Sequence, residues 1–275
     1  MNTGKPVDLH THSNASDGIY SPAELFEVAK RAGVSAIGLT DHDTVKGLPE
    51  AIAAAEKYGP ELVPGVELSV LEEKGEIHIL GYYPCDTEQL NAELKDIREE
   101  RYSRMDKIVA KLKNLGFKLN IQEVLTEAGD SAPGRLHLAR LLLRKKYVHS
   151  LDEAFSLYLN PDRGAYVPRQ LMTLKRAMEL LTAVKAVKVI AHPGELGKAI
   201  IDRLIPMGLQ GIEVFHPDHS AAQKKYYHEL ALSKGLLVTG GSDFHGDRER
   251  TARYPRHLAV AGYYLDQLKK AAFYT

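Results

Sequence analysis

The stretch Val7-Asp8-Leu9-His10-Thr11-His12 decides the reading of this chain. Val7–Leu9 has the pattern of a short strand, and in a strand residues i and i+2 project to the same face. His10 and His12 therefore leave the strand's C-terminal end side by side. Two imidazoles converging in this way form a natural ligand pair for a divalent transition metal. Taken alone, the pair is equally compatible with two exposed or two core histidines.

The motif recurs along the chain. Thr40-Asp41-His42-Asp43 follows a strand at Ala36–Thr40, and Gly65-Val66-Glu67 ends one at Leu62–Val66. Glu76-Ile77-His78 lies in a fourth, which runs on through Ile77–Tyr83. Ala191-His192-Pro193 follows Val187–Ala191, and the run from Glu213 to His219 follows Gly211–Phe215. Gly241-Ser242-Asp243-Phe244-His245 follows Leu236–Gly240. Nearly every strand thus delivers His, Asp or Glu at or near its C-terminal end, the end at which α/β barrels build their sites. Chance placement of 12 histidines would not align them on one rim. The expectation is a polynuclear metal site of Zn, Mn or Fe. The mixture of imidazole and carboxylate without thiolate suits those ions and is too nitrogen-rich for Ca or Mg alone.

Helices separate the strands. Pro22–Ala32 reads as one, with Ser21 as N-cap, Pro22 at the first position and Gly33 as stop. Repeated β-α units favour a parallel sheet, and about seven strands suit a (β/α) barrel. From Glu88 to about Gln170 strand signals almost vanish, and Glu88–Leu115 reads as one long amphipathic stretch. The expected organisation is a barrel of residues 1–90 and 171–275 with a helical insertion at 91–170.

Bulk composition sets the outer bounds. The chain has 275 residues, 44% hydrophobic and 26% charged, enough apolar material for a large core. Net charge is zero, which gives no overall bias toward nucleic acid or membrane. The charge is uneven, however: from Lys95 to Glu179 there are 17 Lys or Arg against 11 Asp or Glu. A solvated helical face accounts for that excess, and so does a basic cover suited to an anionic substrate. The single cysteine, Cys85, permits no intramolecular disulfide. Together with the lack of a secretory or membrane-spanning pattern, this leads to the expectation of a cytoplasmic protein.

As a set, His10-Thr11-His12, Ser16-Asp17-Gly18, Thr40-Asp41-His42-Asp43, Gly65-Val66-Glu67, Ala191-His192-Pro193 and Gly241-Ser242-Asp243-Phe244-His245 resemble the polymerase and histidinol phosphatase (PHP) family. The resemblance implies a distorted seven-stranded (β/α) barrel with an inserted all-helical subdomain, two to three divalent metal ions, and hydrolysis of phosphoric esters by a metal-activated hydroxide. It implies that His10, His12, Glu67 and Asp243 hold a first metal, that Glu67 bridges to a second held by His78 and His192, and that Asp17, His42 and His245 hold a third. Some members carry histidine where Asp17 stands, which makes this third site harder and more anionic.

Gly134-Arg135-Leu136-His137-Leu138-Ala139-Arg140 and Ala165-Tyr166-Val167-Pro168 resemble the branch with a helical insert, which includes 3′,5′-nucleoside bisphosphate phosphatases and 5′→3′ exoribonucleases. The expected partner is accordingly a small phosphorylated substrate, a nucleotide or short RNA, with no membrane and no evident protein partner. Arg135 is the candidate phosphate clamp, since guanidinium binds phosphate bidentately. Tyr166 is the candidate surface for stacking a base. Glu67 and Asp243 are the candidate catalytic carboxylates, and His219 is a candidate for orienting substrate or protonating the leaving oxygen. Asp8, Asp41 and Asp43 are candidates for holding imidazoles in place. His149, His228 and His257 stand alone. A histidinol-phosphate or general phosphomonoesterase, an amidohydrolase and a non-enzymatic PHP module are the competing readings. The basic insert speaks against the first, the absence of a carboxylated lysine at a strand end against the second, and the full set of nine ligand positions against the third.

Overall fold

The computed structural model describes residues 4–73, 75–129, 132–246, 254–255 and 259–273; His257 lies outside them. The chain divides into two compact units, Met1–Glu93 with Leu171–Thr275, and Leu94–Gln170.

The first unit is an α/β fold whose sheet curls into a nearly closed barrel. Its strands are β1 (Pro6–Thr11), β2 (Ala36–Leu39), β3 (Glu61–Glu72), β4 (Gly75–Tyr82), β5 (Met172–Thr173), β6 (Val187–Ile190), β7 (Gly211–Phe215), β8 (Leu237–Gly240) and β9 (Val260–Ala261). The sheet order is β8-β7-β6-β4-β3-β2-β1-β9, with β5 alongside β3. Leaving aside the two-residue strands β5 and β9, seven strands among the described residues make the barrel, as expected. Past β8 the chain returns against β1. Asp243 N donates to His10 O at 3.0 Å, and His12 N donates to Phe244 O at 3.0 Å. These bonds bring the two ends of the sheet together.

The parallel expectation fails at β4, which runs antiparallel to both β3 and β6. A link this short between Glu72 and Gly75 cannot make a parallel crossover, which needs a dozen or more residues. His78 therefore sits in the first half of its strand, and it reaches the common rim because that strand runs backwards. Register explains its neighbour: Leu80 pairs with Glu67 and His78 with Ser69, so Glu67 and His78 are diagonal cross-strand neighbours on one face.

Strand β1 shows how sequence period becomes placement. Val7 and Leu9 join a buried cluster with Ala36, Val63, Leu80, Tyr82, Val187 and Val189. Asp8, His10 and His12 take the alternate face and are buried there too. The helix Pro22–Ala32 closes with a capping box between Ser21 and Glu24 and with Gly33 at φ 74°.

The regular elements of the second unit are all helices among its described residues. The stretch expected as one helix is two, Thr87–Glu93 and Lys95–Asn114, and the second begins this unit. With Ile121–Ala128, Arg135–Arg144 and Leu151–Ala154 it encloses its own core, including Met105, Ile108, Leu112, Val124, Leu138, Leu141 and Leu142. No helix among the described residues is long and apolar enough to cross a membrane.

Candidate metal centre

The nine expected ligands all come from the barrel unit, and the fold brings their donor atoms to one rim. His10 Nε2 and His12 Nε2 lie 3.1 Å apart. Glu67 Oε2 is 3.2 Å from each of them, and Asp243 Oδ1 is 3.3 Å from His10 Nε2 and 2.9 Å from His12 Nε2. Glu213 Oε1 lies 2.9 Å from His10 Nδ1, and since a carboxylate only accepts, a neutral His10 carries its proton on Nδ1 and a lone pair on Nε2. Four lone-pair atoms thus face one point. Zn–N bonds of 2.0–2.1 Å in a tetrahedron place neighbouring donor atoms about 3.3 Å apart, close to these spacings.

Glu67 directs its two oxygens to different histidines. Oε2 faces His10, His12 and His42 Nδ1, the last at 3.1 Å. Oε1 faces His78 Nδ1 at 2.9 Å and His192 Nε2 at 3.1 Å, and those two nitrogens are 3.3 Å apart. The other nitrogen of His78 lies 3.3 Å from Glu76 Oε1, so a proton held there frees Nδ1. A third group, Asp17, His42 and His245, gathers together with His12. His245 Nδ1–H donates to Asp243 O at 2.8 Å, and its Nε2 lies 3.2 Å from Asp17 Oδ1.

Several donor atoms fit a cation and little else. Glu67 Oε2, Asp243 Oδ1 and His42 Nδ1 are buried without a hydrogen-bond partner. In a dry site such atoms carry a desolvation penalty that a metal ion removes. Electrostatics agree. Burial alone would keep the His78 and His245 imidazoles neutral, but Glu67 beside the first and Asp17 and Asp243 beside the second raise both to about 10. His42 goes the other way: burial lowers it to about 3, despite Glu67 and Asp17. Burial also works against ionisation of Glu67 and Asp243, yet the surrounding histidines hold both well below the usual carboxylate range.

Burial grades across the centre. The side chains of His10, His12 and Glu67 are 0–1% exposed, whereas those of Asp17, His42, His78, His192, Asp243 and His245 are 14–26% exposed. The first three form a sealed floor, and the others form a lip that solvent can reach.

Backbone geometry fixes the lip. His42 bridges to Glu67 in parallel register, with Asp43 N donating to Glu67 O at 2.9 Å. Asp41 accepts from Ser13 N, Ser13 Oγ and Ser16 Oγ at 2.6–2.7 Å and so braces the loop that carries Asp17. Asp43 accepts from Ser69 N. Asp8 accepts from Ser242 N, Ser242 Oγ and Tyr254 OH, tying β1 to the segment that carries Asp243. These bonds hold the loops that carry the ligands. Gly241 is required by contact, since a Cβ there would lie 2.4 Å from His10 Cβ and 2.5 Å from His10 N.

The substrate candidates fall elsewhere. Arg135 and Tyr166 belong to the helical unit, where the fold brings them together: the guanidinium lies 5.8 Å from the Tyr166 ring and 5.9 Å from that of Phe155, and donates to Leu159 O. Arg135 forms no ion pair among the described residues. Nearby Arg104 is lowered to about 10 by burial and by the charges of Arg135 and Arg169. His137 caps its helix, with Nδ1 accepting from Gly134 N. His219, expected to touch substrate, is buried with both nitrogens committed to main chain: Nδ1–H donates to Val214 O at 2.9 Å, and Nε2 accepts from Gly194 N at 3.1 Å.

Sequence reasoning noted the run from Glu213 to His219 but assigned no role to Glu213 or His216. Glu213 is fully buried and accepts from both His10 Nδ1 and His192 N. His216 Nε2 lies 3.5 Å from Asp243 Oδ2. The available signal was the clustering of Glu213, His216 and His219 at one strand exit.

Comparison with known proteins agrees with this architecture. The chain is 35% identical over 252 residues to a 3′,5′-nucleoside bisphosphate phosphatase of Chromobacterium violaceum, covering 88% of each chain. It is 33% identical over 248 residues to a 5′-3′ exoribonuclease of Haemophilus influenzae, covering 88% of this chain and 90% of that one. A crystal structure from Bifidobacterium adolescentis, of a protein assigned as a metal-dependent phosphoesterase, superposes with a TM-score of 0.88 at 25% identity over 98% of this chain and 96% of the other. The PHP domain model matches residues 8–274, and the chain belongs to the PHP domain family.

Proposed function

We propose that this chain is a metal-dependent phosphoesterase that releases phosphate from a small nucleotide, either a 3′,5′-bisphosphate nucleotide or a short 5′-phosphorylated RNA. The observation that carries the reading is Glu67, whose two oxygens face two separate histidine sets from a buried floor. In the proposed assignment, His10, His12, Glu67 and Asp243 hold one ion, Glu67, His78 and His192 a second, and Asp17, His42 and His245 a third. Divalent ions held there would supply an activated water and a clamp on the phosphoryl oxygens.

The chain's own residues do the rest. Glu67 sets the spacing of the first two positions, and Asp243 at the lip contributes negative charge where water enters. The chain needs no side-chain nucleophile. The ions are Mn, Zn or Fe by the ligand chemistry. The nucleotide is favoured by the two curated relatives and by Arg135 with Tyr166, a guanidinium and an aromatic face of the kinds that a phosphate and a base bind.

The test is phosphate release by Mn-loaded protein from adenosine 3′,5′-bisphosphate and from histidinol phosphate, with release of mononucleotide from a short 5′-phosphorylated RNA. Turnover of one or both nucleotide substrates is expected. Turnover of histidinol phosphate alone would overturn the nucleotide assignment.

A further inference from the structure

We infer that Glu213 is a positioning residue that couples two of the proposed metal positions, locking His10 in the Nε2-ligating tautomer and holding the backbone of His192 in place. Glu213 acts in this way only if His10 and His192 are ligands, as proposed above.

The geometry is specific. Glu213 lies on β7, and its carboxylate is fully buried. Oε1 takes the Nδ1–H of His10 at 2.9 Å, and Oε2, itself 3.1 Å from that nitrogen, takes the backbone N–H of His192 at 2.9 Å. His10 belongs to β1, and His192 follows β6. One carboxylate thus reaches ligands of two different strands. A neutral imidazole has one proton, and an acceptor that fixes it on Nδ1 leaves the lone pair on Nε2, the nitrogen that faces His12, Glu67 and Asp243.

The bond to His192 meets a separate need. His192 has φ 24°, in the left-handed region that a residue with a Cβ avoids. Such a conformation persists only where surrounding contacts over-determine it. Glu213 supplies one contact, at the amide of His192 itself. The next turn is pinned from both sides, since Gly194 N donates to His219 Nε2 at 3.1 Å and Tyr227 OH donates to Gly194 O at 2.9 Å. His219 and Tyr227 stack with ring centroids 5.5 Å apart. The segment from Glu213 to Tyr227 therefore forms the mould for the loop that presents His192, and this gives His219 a scaffold role.

The substitution Glu213→Gln keeps the shape and removes the charge. The amide oxygen can still serve one donor, but its NH2 then faces the other. Metal-stripped full-length wild-type and variant proteins are titrated with Zn²⁺ against a competing chromogenic chelator. Wild type is expected to bind. The variant is expected to bind about 10- to 100-fold more weakly, the effect typical of losing an outer-shell partner. Equal affinities in a variant that circular dichroism shows to be folded would overturn the inference. Should the variant not fold, the second measurement needs wild type alone: in Zn-loaded protein labelled with ¹⁵N-histidine, the His10 Nδ1 proton is expected at the strongly downfield shift of a proton held by a carboxylate. A His10 Nδ1 proton at the ordinary shift of an imidazole N–H would overturn the lock by Glu213. Failure of wild type to bind Zn²⁺ at all would instead overturn the metal-centre reading beneath it.

Discussion

At the residue scale the central feature is Glu67, a fully buried carboxylate among His10, His12, His42, His78 and His192. Glu67→Gln should lose more metal affinity than the roughly 100-fold that an outer partner such as Glu213 controls, because it removes a bridging charge rather than an orienting one. Metal analysis after dialysis checks this, and an unchanged metal content would sink the bridging assignment. Protonation gives a second expectation. In metal-free protein His78 and His245 keep their protons up to about pH 10, since the nearby carboxylates outweigh burial. A metal must displace those protons, so binding tightens as pH rises through the neutral range and weakens as pH falls. Calorimetry in two buffers of different ionisation heat should show net proton release at pH 7, and none would contradict the assignment. The period-two logic of His10 and His12 was readable in sequence because it depends only on neighbours along one strand. Glu213 was not, because its role depends on the register of β1, β6 and β7.

At the scale of elements, one hairpin accounts for the difference between expectation and structure. Strands β3 and β4 read as two members of a parallel series, whereas a short turn reverses β4. Gly75, at φ 129°, was the available signal, a turn residue between two apolar runs. His78 still lies at the common rim, because its strand reaches that rim from the other direction. The helix Pro22–Ala32 was legible to its caps because capping is local. The approach of Gly241 to His10 is not local and leads to a third prediction. Gly241→Ala should force β1 and the Asp243 segment apart and cut metal binding, while Gly134→Ala, whose new Cβ would meet nothing nearer than 3.9 Å, should leave metal content unchanged. Measuring metal per chain in both variants decides it, and equal content in the two would contradict the account.

At the scale of the whole molecule, the two units have separate cores. Leu142 is fully buried in the helical unit, and Leu142→Ala should cost about 2–5 kcal/mol there. Metal content, which belongs to the barrel unit, should stay unchanged. Denaturation followed by circular dichroism, with metal analysis of the folded variant, tests both parts. Composition and element pattern were enough to indicate a barrel with a helical insert. They could not place Arg135 beside Tyr166, Phe155 and Leu159, because those neighbours come from distant parts of the sequence.

The most direct test is phosphate release from adenosine 3′,5′-bisphosphate by one preparation, stripped with chelator and then reloaded stepwise with Mn²⁺. The stripped protein should be inactive, activity should return as ions bind, and His12→Ala should not recover at matched metal concentration. Full activity in the stripped protein, or in His12→Ala, would contradict the claim that this cluster of histidines and carboxylates is the catalytic centre.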